Sequence, residues 1–449
     1  MTTDAADGLP ETESLAMLAE RVLEMARRKG ASQAELSLSH ARGLSLNVRN
    51  AEVESLEFQR DRGLSLTVFF GHRRGSASSG DLSDDGLEDC VSAACEIAKA
   101  TEEDPCAGLA QAERMATEMR SLALDHPWPI SADEAIERAR ACEAAALSVD
   151  RRIQQCEGAS LSTHRGVSIY ANSHGFFGPR SGTQHSLSCS VVAADDKGMQ
   201  RDYWYDSHRS AQSLQSPESI GRQAAQRTVR RLGAKTAKTA QVPVLFAPEV
   251  ARSLFGHFVG AISGAALYRQ ASFLLDKLDQ PVFSPTVGIT QQPFIQQAAA
   301  SSCFDSEGVA THERTLVEQG ILKGWLLGSY SARRLGLETT GNAGGVYNLM
   351  IEPGEQDFAS LLKDLDEGLW ITELMGHGTN MVTGDYSRGA AGFWVKGGEI
   401  IHPVEGVTVA SNLLQMFANI RAIGNDVDTR GGTRCGSVLI DGMTMAAES

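Results

Sequence analysis

The sequence predicts an α+β protein: an N-terminal α/β region with mixed sheets and helices, followed by a C-terminal antiparallel β-rich domain. Three observations carry this reading. Apolar and polar residues alternate at period two between Leu36 and Phe70, and again around "GVSIYAN" and "HSLSCSVVA". Helix-start signals interrupt these strands at Ser83, at Ser131 and at Ser216-Pro217. Beyond residue 241 the helical signals thin out, and glycine-rich sequence with short β-type segments such as "VTVA" and "GSVLI" takes over.

In chain order, Leu15, Leu18, Val22 and Met25 fall on one face of a first helix, and Gly30 after a Lys/Arg-rich last turn stops it. Leu36/Leu38, Leu44/Leu46/Val48 and Leu64/Leu66/Val68/Phe70 read as strands, with "RNAE" and "RDRG" as the polar turns between them. Ser83 then caps a helix carrying Leu87, Val91, Ala94 and Ile97. "EEDPCAG" marks a boundary, which places an α/β unit at 1–105. "SADE", from Ser131 to Glu134, is a capping box: the serine and glutamate satisfy amide donors that the first helical turn leaves unpaired. Pro217 opens a basic helix running to Gly233. The linker "GAKTAKTAQ" then closes a central α/β unit at 106–240 and leaves 241–449 as the β-rich domain, in which Pro248 opens a further helix. No repeat, low-complexity tract or heptad array interrupts this plan.

A chain of 449 residues is too long for one ordinary core, in keeping with several domains. The formal net charge of −15 disfavours duplex nucleic acid and anionic membranes as partners, since both reward clustered Lys and Arg. One local exception, Arg222, Arg227, Arg230, Arg231, Lys235 and Lys238, reads as a solvated helix face. The start "MTTDAADGLPETES" lacks an apolar targeting core, and no window approaches the roughly 18 apolar residues of a membrane span, so a cytoplasmic location is expected. Eight cysteines without a CxxC pair suit reduced thiols.

For chemistry, the helix containing "RSLFGHFVG" offers one histidine, His257, with Arg252 five residues and Ser253 four residues before it. A guanidinium has no lone pair for a cation, and a serine hydroxyl does not act as a carboxylate base near neutral pH. On chemistry alone His257 reads as a core or interface histidine. His312-Glu313 in "THERT" lacks a second ligand, and Glu373 and His377 in "ELMGHGTN" are broken by flanking glycines. "GDYSRGAAGFW" and "TTGNAGG" do not have the spacing of a dinucleotide or phosphate loop. Asp385, Tyr386 and Arg388 read either as a pocket wall or as the scaffold of a tight turn.

The stretches "GSASSGDLS", "DPCAG", "YANSHGF", "FGHFVGAISG", "LYRQASFLLD", "FDSEGV", "GSYSARRLGL", "GNAGG", "TGDYSRGAAGFWV" and "IGNDVDTRGGTRCGS" run in order from residue 75 to 437. Together they resemble the TldD/PmbA metalloprotease family over essentially the whole chain. The resemblance implies a zinc peptidase system for peptides and unfolded polypeptides, whose TldD-type subunit carries an HExxxH helix and a downstream cysteine ligand. Laid on that motif, Arg252 stands at the first histidine, Ser253 at the glutamate, His257 at the second histidine, and Cys435 at the cysteine. The helix is then a degenerate metal helix. The expectation is a non-catalytic subunit with no metal of its own, the zinc being held by a TldD-type partner, and a homodimer when that partner is absent. Two alternatives stay open: an autonomous zinc peptidase using His257, Cys435 and a third ligand such as His377, or a peptide-binding homodimer without catalysis.

Overall fold

Two very long hairpins organise the first half of the chain. In the computed structural model, which describes residues 8–447, β1 (Gln33–Arg49) pairs with β2 (Glu52–Phe70), and β3 (Arg73–Ser79) extends the pair. The second hairpin joins β4 (Ile153–Asn172) and β5 (Phe177–Asp195), with β6 (Gly198–His208) beyond. Antiparallel pairing of β1 with β4, from Glu35↔Asn172 to Val48↔Ala159, fuses both into one six-stranded sheet of order β3-β2-β1-β4-β5-β6. The units at 1–105 and 106–240 thus contribute to a single sheet.

The α-helices described in this half, four in number, lie on one face of it. Leu36, Leu38, Leu64 and Leu66 point into a core with α1 (Thr12–Arg28) and α2 (Asp84–Ala100). Leu44, Leu46 and Val48, at the same parity of β1, point into a second core with α3 (Ala132–Leu147) and α4 (Pro217–Arg230). The expected caps are present: Ser83 accepts from Gly86, and Ser131 and Glu134 form a reciprocal capping box. The opposite face carries small residues, including Ser39, Ala41, Gly166, Ser168 and Gly182, paired in rows across the strands.

"RDRG" is a correction. Residues 60–63 continue β2 opposite Gly63↔Ser39 and Arg60↔Arg42, with no turn between. From Glu52 to Arg62 both faces of β2 are exposed, so polar side chains sit in strand geometry at no desolvation cost, and the period-two signal vanishes. Phe58 is 69% exposed here, and β3 reaches only as far as Leu64, leaving the outer edge of 52–62 without a strand partner among the described residues.

The C-terminal half runs through β7 (Ala240–Phe246), helix α5 (Pro248–Ala261), β8 (Ile289–Gln291), β9 (Arg314–Glu318), β10 (Ile321–Leu322) and β11 (Leu349–Ile351). It continues with β12 (Gly368–Met375), β13 (Asp385–Lys396), β14 (Glu399–Asn412), β15 (Ile420–Ile423), β16 (Thr433–Arg434) and β17 (Val438–Ala447). The larger sheet has the order β14-β13-β12-β7-β17-β15, and a further pairing of β14 with β17 closes it on itself. Pairing is mostly antiparallel, but β7–β12 and β11–β16 are parallel, each joined by a long crossover. The domain is therefore mixed rather than purely antiparallel. Among the described residues no helix is long and apolar enough to cross a membrane.

The basic run from Arg222 to Lys238 is a correction only in part: Arg222, Arg230, Lys235 and Lys238 are exposed, as a solvated face requires, but Arg227 and Arg231 are not. Arg227 donates to Glu249 at 2.7 Å, Arg231 pairs with Glu373 at 2.6 Å, and Arg230 stacks over Trp370 and Phe393. Arg227 and Arg231 thus face the C-terminal domain, while Arg230 stays exposed beside its two rings. Tight helix packing accompanies this docking, since a Cβ at Gly221 of α4 would lie 2.1 Å from the carbonyl oxygen of Cys142 on α3. Gly221→Ala is expected to lower stability by about 1–3 kcal/mol, read as a drop in the denaturant midpoint with little change in slope.

Candidate functional site

Helix α5 starts at Pro248 because proline at the first helical position loses no hydrogen bond. Its apolar stripe, Ala251, Leu254, Phe255, Phe258 and Ala261, is buried against the strands of the C-terminal core, where Phe258 meets Phe283 at 5.1 Å. That burial fixes the helix and directs its polar residues outward from the core in two different directions.

Arg252 points to the N-terminal sheet. Its Nη1 lies 3.2 Å from the Tyr205 hydroxyl on β6, beside the Asp428–Arg430 pair, in which Arg430 also donates to the Tyr205 carbonyl at 2.9 Å. Ser253 donates to the carbonyl of Val250 at 2.7 Å, so its hydroxyl is folded back on its own helix. Cys435 is fully buried with its sulfur 3.7 Å from the Pro248 carbonyl; burial, aided by the Asp428 charge, pushes its thiol up to about 12.

His257 faces another way, as a five-residue spacing on a regular helix requires. Its Nε2 lies 3.4 Å from the Thr379 hydroxyl and its ring meets Tyr386 edge-on at 6.0 Å. Burial, with the Arg388 charge, lowers its pKa. The structure thus brings His257 together with Tyr386 and Arg388, and separates it from Arg252.

Asp385, Tyr386 and Arg388 do not form a tight turn. All three lie on β13, preceded by Gly384 at φ +81°, which supplies the turn. Tyr386 is buried while Asp385 is exposed, where it accepts from Thr383 at 2.6 Å. Period-two spacing of Tyr386 and Arg388 was a legible strand signal, masked by the small residues around it. His377 and Glu373 behave as the glycines indicate: His377 is exposed in the loop after β12, and Glu373 is engaged by Arg231. His312 and Glu313 are exposed just before β9.

Zinc takes neutral imidazole, thiolate and carboxylate donors in one tetrahedron. Here one donor position carries a cation, and among the described residues no three His, Cys, Asp or Glu side chains converge as a metal group. These side chains do not compose a zinc donor set.

Three stretches match models of the PmbA/TldA metallopeptidase family: its domain 1 over residues 34–98, its central domain over 125–232 and its C-terminal domain over 239–447. The chain is 46% identical to the metalloprotease PmbA of Escherichia coli O157:H7, over 95% of this chain and 94% of that one. A Bacteroides thetaiotaomicron crystal structure, described as a candidate modulator of DNA gyrase, superposes with a TM-score of 0.92 at 27% identity, covering 96% of this chain and 98% of that one. TldE from Thermococcus kodakarensis shares the fold, with a TM-score of 0.85 at 19% identity, covering 96% of this chain and all of that one.

Cys435 gives a direct check on the described environment. With its thiol buried and pushed up to about 12, it is expected to resist iodoacetamide in the native protein at pH 8, while the partly exposed Cys106 and Cys303 react. Peptide mass spectrometry after alkylation, with and without denaturant, reads this out; native labelling of Cys435 as fast as Cys303 would contradict it.

Proposed function

The chain belongs to the PmbA/TldD metallopeptidase family, and from that premise we propose that it is the non-catalytic, TldE-type subunit of a two-component metalloprotease. In this reading a TldD-type partner holds the zinc and the general base, and this chain supplies walls of the cleft in which peptides and unfolded polypeptides are cut or trimmed. The observation that carries it is the commitment of Arg252 to the Tyr205 hydroxyl, at the position where a peptidase of this family would place a histidine. Ser253, bonded to its own helix, offers no base to a metal-bound water.

The β-segments around α5 suit an extended substrate, since strands bind a peptide backbone through their edges and exclude a folded chain. In this reading Asp385, Tyr386 and Arg388 of β13 contribute to a wall of that cleft, with His257 packed against Tyr386 behind it. Without the partner, two copies of this chain pair about a two-fold axis, largely through the small-residue surfaces of the C-terminal domain.

The test is cleavage of fluorescent casein by this chain, by a TldD-type subunit and by the mixture, with and without chelator. Only the mixture is expected to cleave efficiently. His257→Ala in this chain is expected to leave that rate within about twofold, whereas replacing the glutamate of the partner's HExxxH motif abolishes it. Chelator-sensitive cleavage by this chain alone, lost in His257→Ala, would overturn the reading. So would about one zinc per chain by elemental analysis after dialysis.

A further inference from the structure

The face of the N-terminal sheet opposite α1–α4 carries a cavity of about 900 Å³, whose lining includes neither Arg252 nor Tyr205. Its floor is made of the small residues already described, Ser39 opposite Ser168 and Ala41 opposite Gly166 opposite Gly182, with Arg180 opposite Ser168 at the end of the first row. Loops from the C-terminal domain, including Phe304 and Tyr347, form the far wall.

Two arginines there have no counter-ion. Arg180 donates to the carbonyls of Phe304 and Asp305 at 2.8 and 2.9 Å and stacks on the Phe304 ring at 4.0 Å. Arg209 donates to the carbonyls of Thr183 and Ala299 at 2.9 and 2.8 Å, and its Nε is buried without any partner. Neither guanidinium has a carboxylate within ion-pair distance among the described residues. Burial lowers the pKa of both. The Asp305 carboxylate is turned onto the backbone amides of Glu307, Val309 and Ala343. Asp125, the one carboxylate lining the cavity among the described residues, is bound by Arg165 at 2.8 Å.

Both arginines line this one cavity. A Cβ at Gly182 would lie 3.2 Å from Nη1 of Arg209, so that guanidinium occupies the space above Gly182. Gly182 is two residues from Arg180 on the same face of β5, a spacing of roughly 6.5 Å. Arg209 is half-buried, whereas Arg180 is exposed at the cavity and tied down by backbone carbonyls; a guanidinium held in place without a counter-ion is costly to the extent that it is desolvated. In a chain of net charge −15, which has carboxylates to spare, leaving two such charges beside one cavity calls for an anion from outside.

We propose that this cavity is an anion site that takes a carboxylate of an extended peptide. Arg180 and Arg209 hold the carboxylate, and the Ser/Gly/Ala floor leaves room for the backbone behind it. The choice of a peptide rests on the proposed function; the unpaired cations do not.

Calorimetric titration of this chain alone tests it with three unlabelled octapeptides of one uncharged, N-acetylated sequence: a free C-terminal carboxylate, the C-terminal amide, and the amide with one internal glutamate. At least tenfold tighter binding of the free acid than of the plain amide is expected if the site reads a chain end, and of the glutamate peptide if it reads a side chain. Arg180→Gln and Arg209→Gln are each expected to remove that preference, and Arg180→Lys to keep part of it. Because both arginines also tie loops together, the comparison of peptides on the unmodified chain decides the question even where a variant unfolds. Equal affinity for all three peptides, or no binding of any, overturns the proposal. Casein cleavage by the mixture is a separate readout: its failure beside intact carboxylate preference counts against the two-component reading alone.

Discussion

Trp204 sits between two guanidinium groups, that of Arg430 at 4.2 Å and that of Arg227 at 5.0 Å, and this joint sets the relation of the two halves of the molecule. Arg227 rises from α4 and reaches Glu249 at the start of α5; Arg430, from the loop before β16, holds Asp428 and lies over Tyr205 at 4.5 Å. Each cation–aromatic contact of this kind contributes about 0.5–2 kcal/mol, and the ion pairs leave no charge buried alone. Arg252 completes the same cluster through the Tyr205 hydroxyl. The residue that stands where a metal ligand would be is therefore part of the structural joint, and the helix keeps its place without a metal to organise it.

Much of the architecture was legible because local signals agreed with tertiary ones. The caps at Ser83, Ser131 and Ser216 and the alternation of Leu36 to Val48 are backbone requirements that one sequence displays openly. "RDRG" misled because a strand exposed on both faces has no apolar rhythm to read. The basic run on α4 misled in part for a different reason: Arg231 looks like a surface residue until Glu373, more than a hundred positions away, is folded against it, while Arg230 stays exposed beside Trp370 and Phe393.

The candidate site divides in the same way. That Arg252 and Ser253 supply neither ligand nor base follows from their side-chain chemistry alone, before any coordinates. That His257 meets Tyr386 and Arg388 depended on seeing 385–396 as a strand rather than a turn. The cations of Arg180 and Arg209 had no local signal at all, because what distinguishes them is the absence of a carboxylate partner, a property of the assembled fold.

The exposed edge of β2 between Glu52 and Arg62 carries a further consequence, for behaviour at high concentration. A long strand with an open row of amides and an exposed Phe58 is a template on which other chains can stack into fibrils. Glu54, Glu57, Arg60, Asp61 and Arg62 place charges of both signs along it, so that a neighbouring strand sliding into most registers meets a like charge or strips water from an ion. The polarity that hides this strand from a pattern reading is what keeps it from becoming the nucleus of an aggregate.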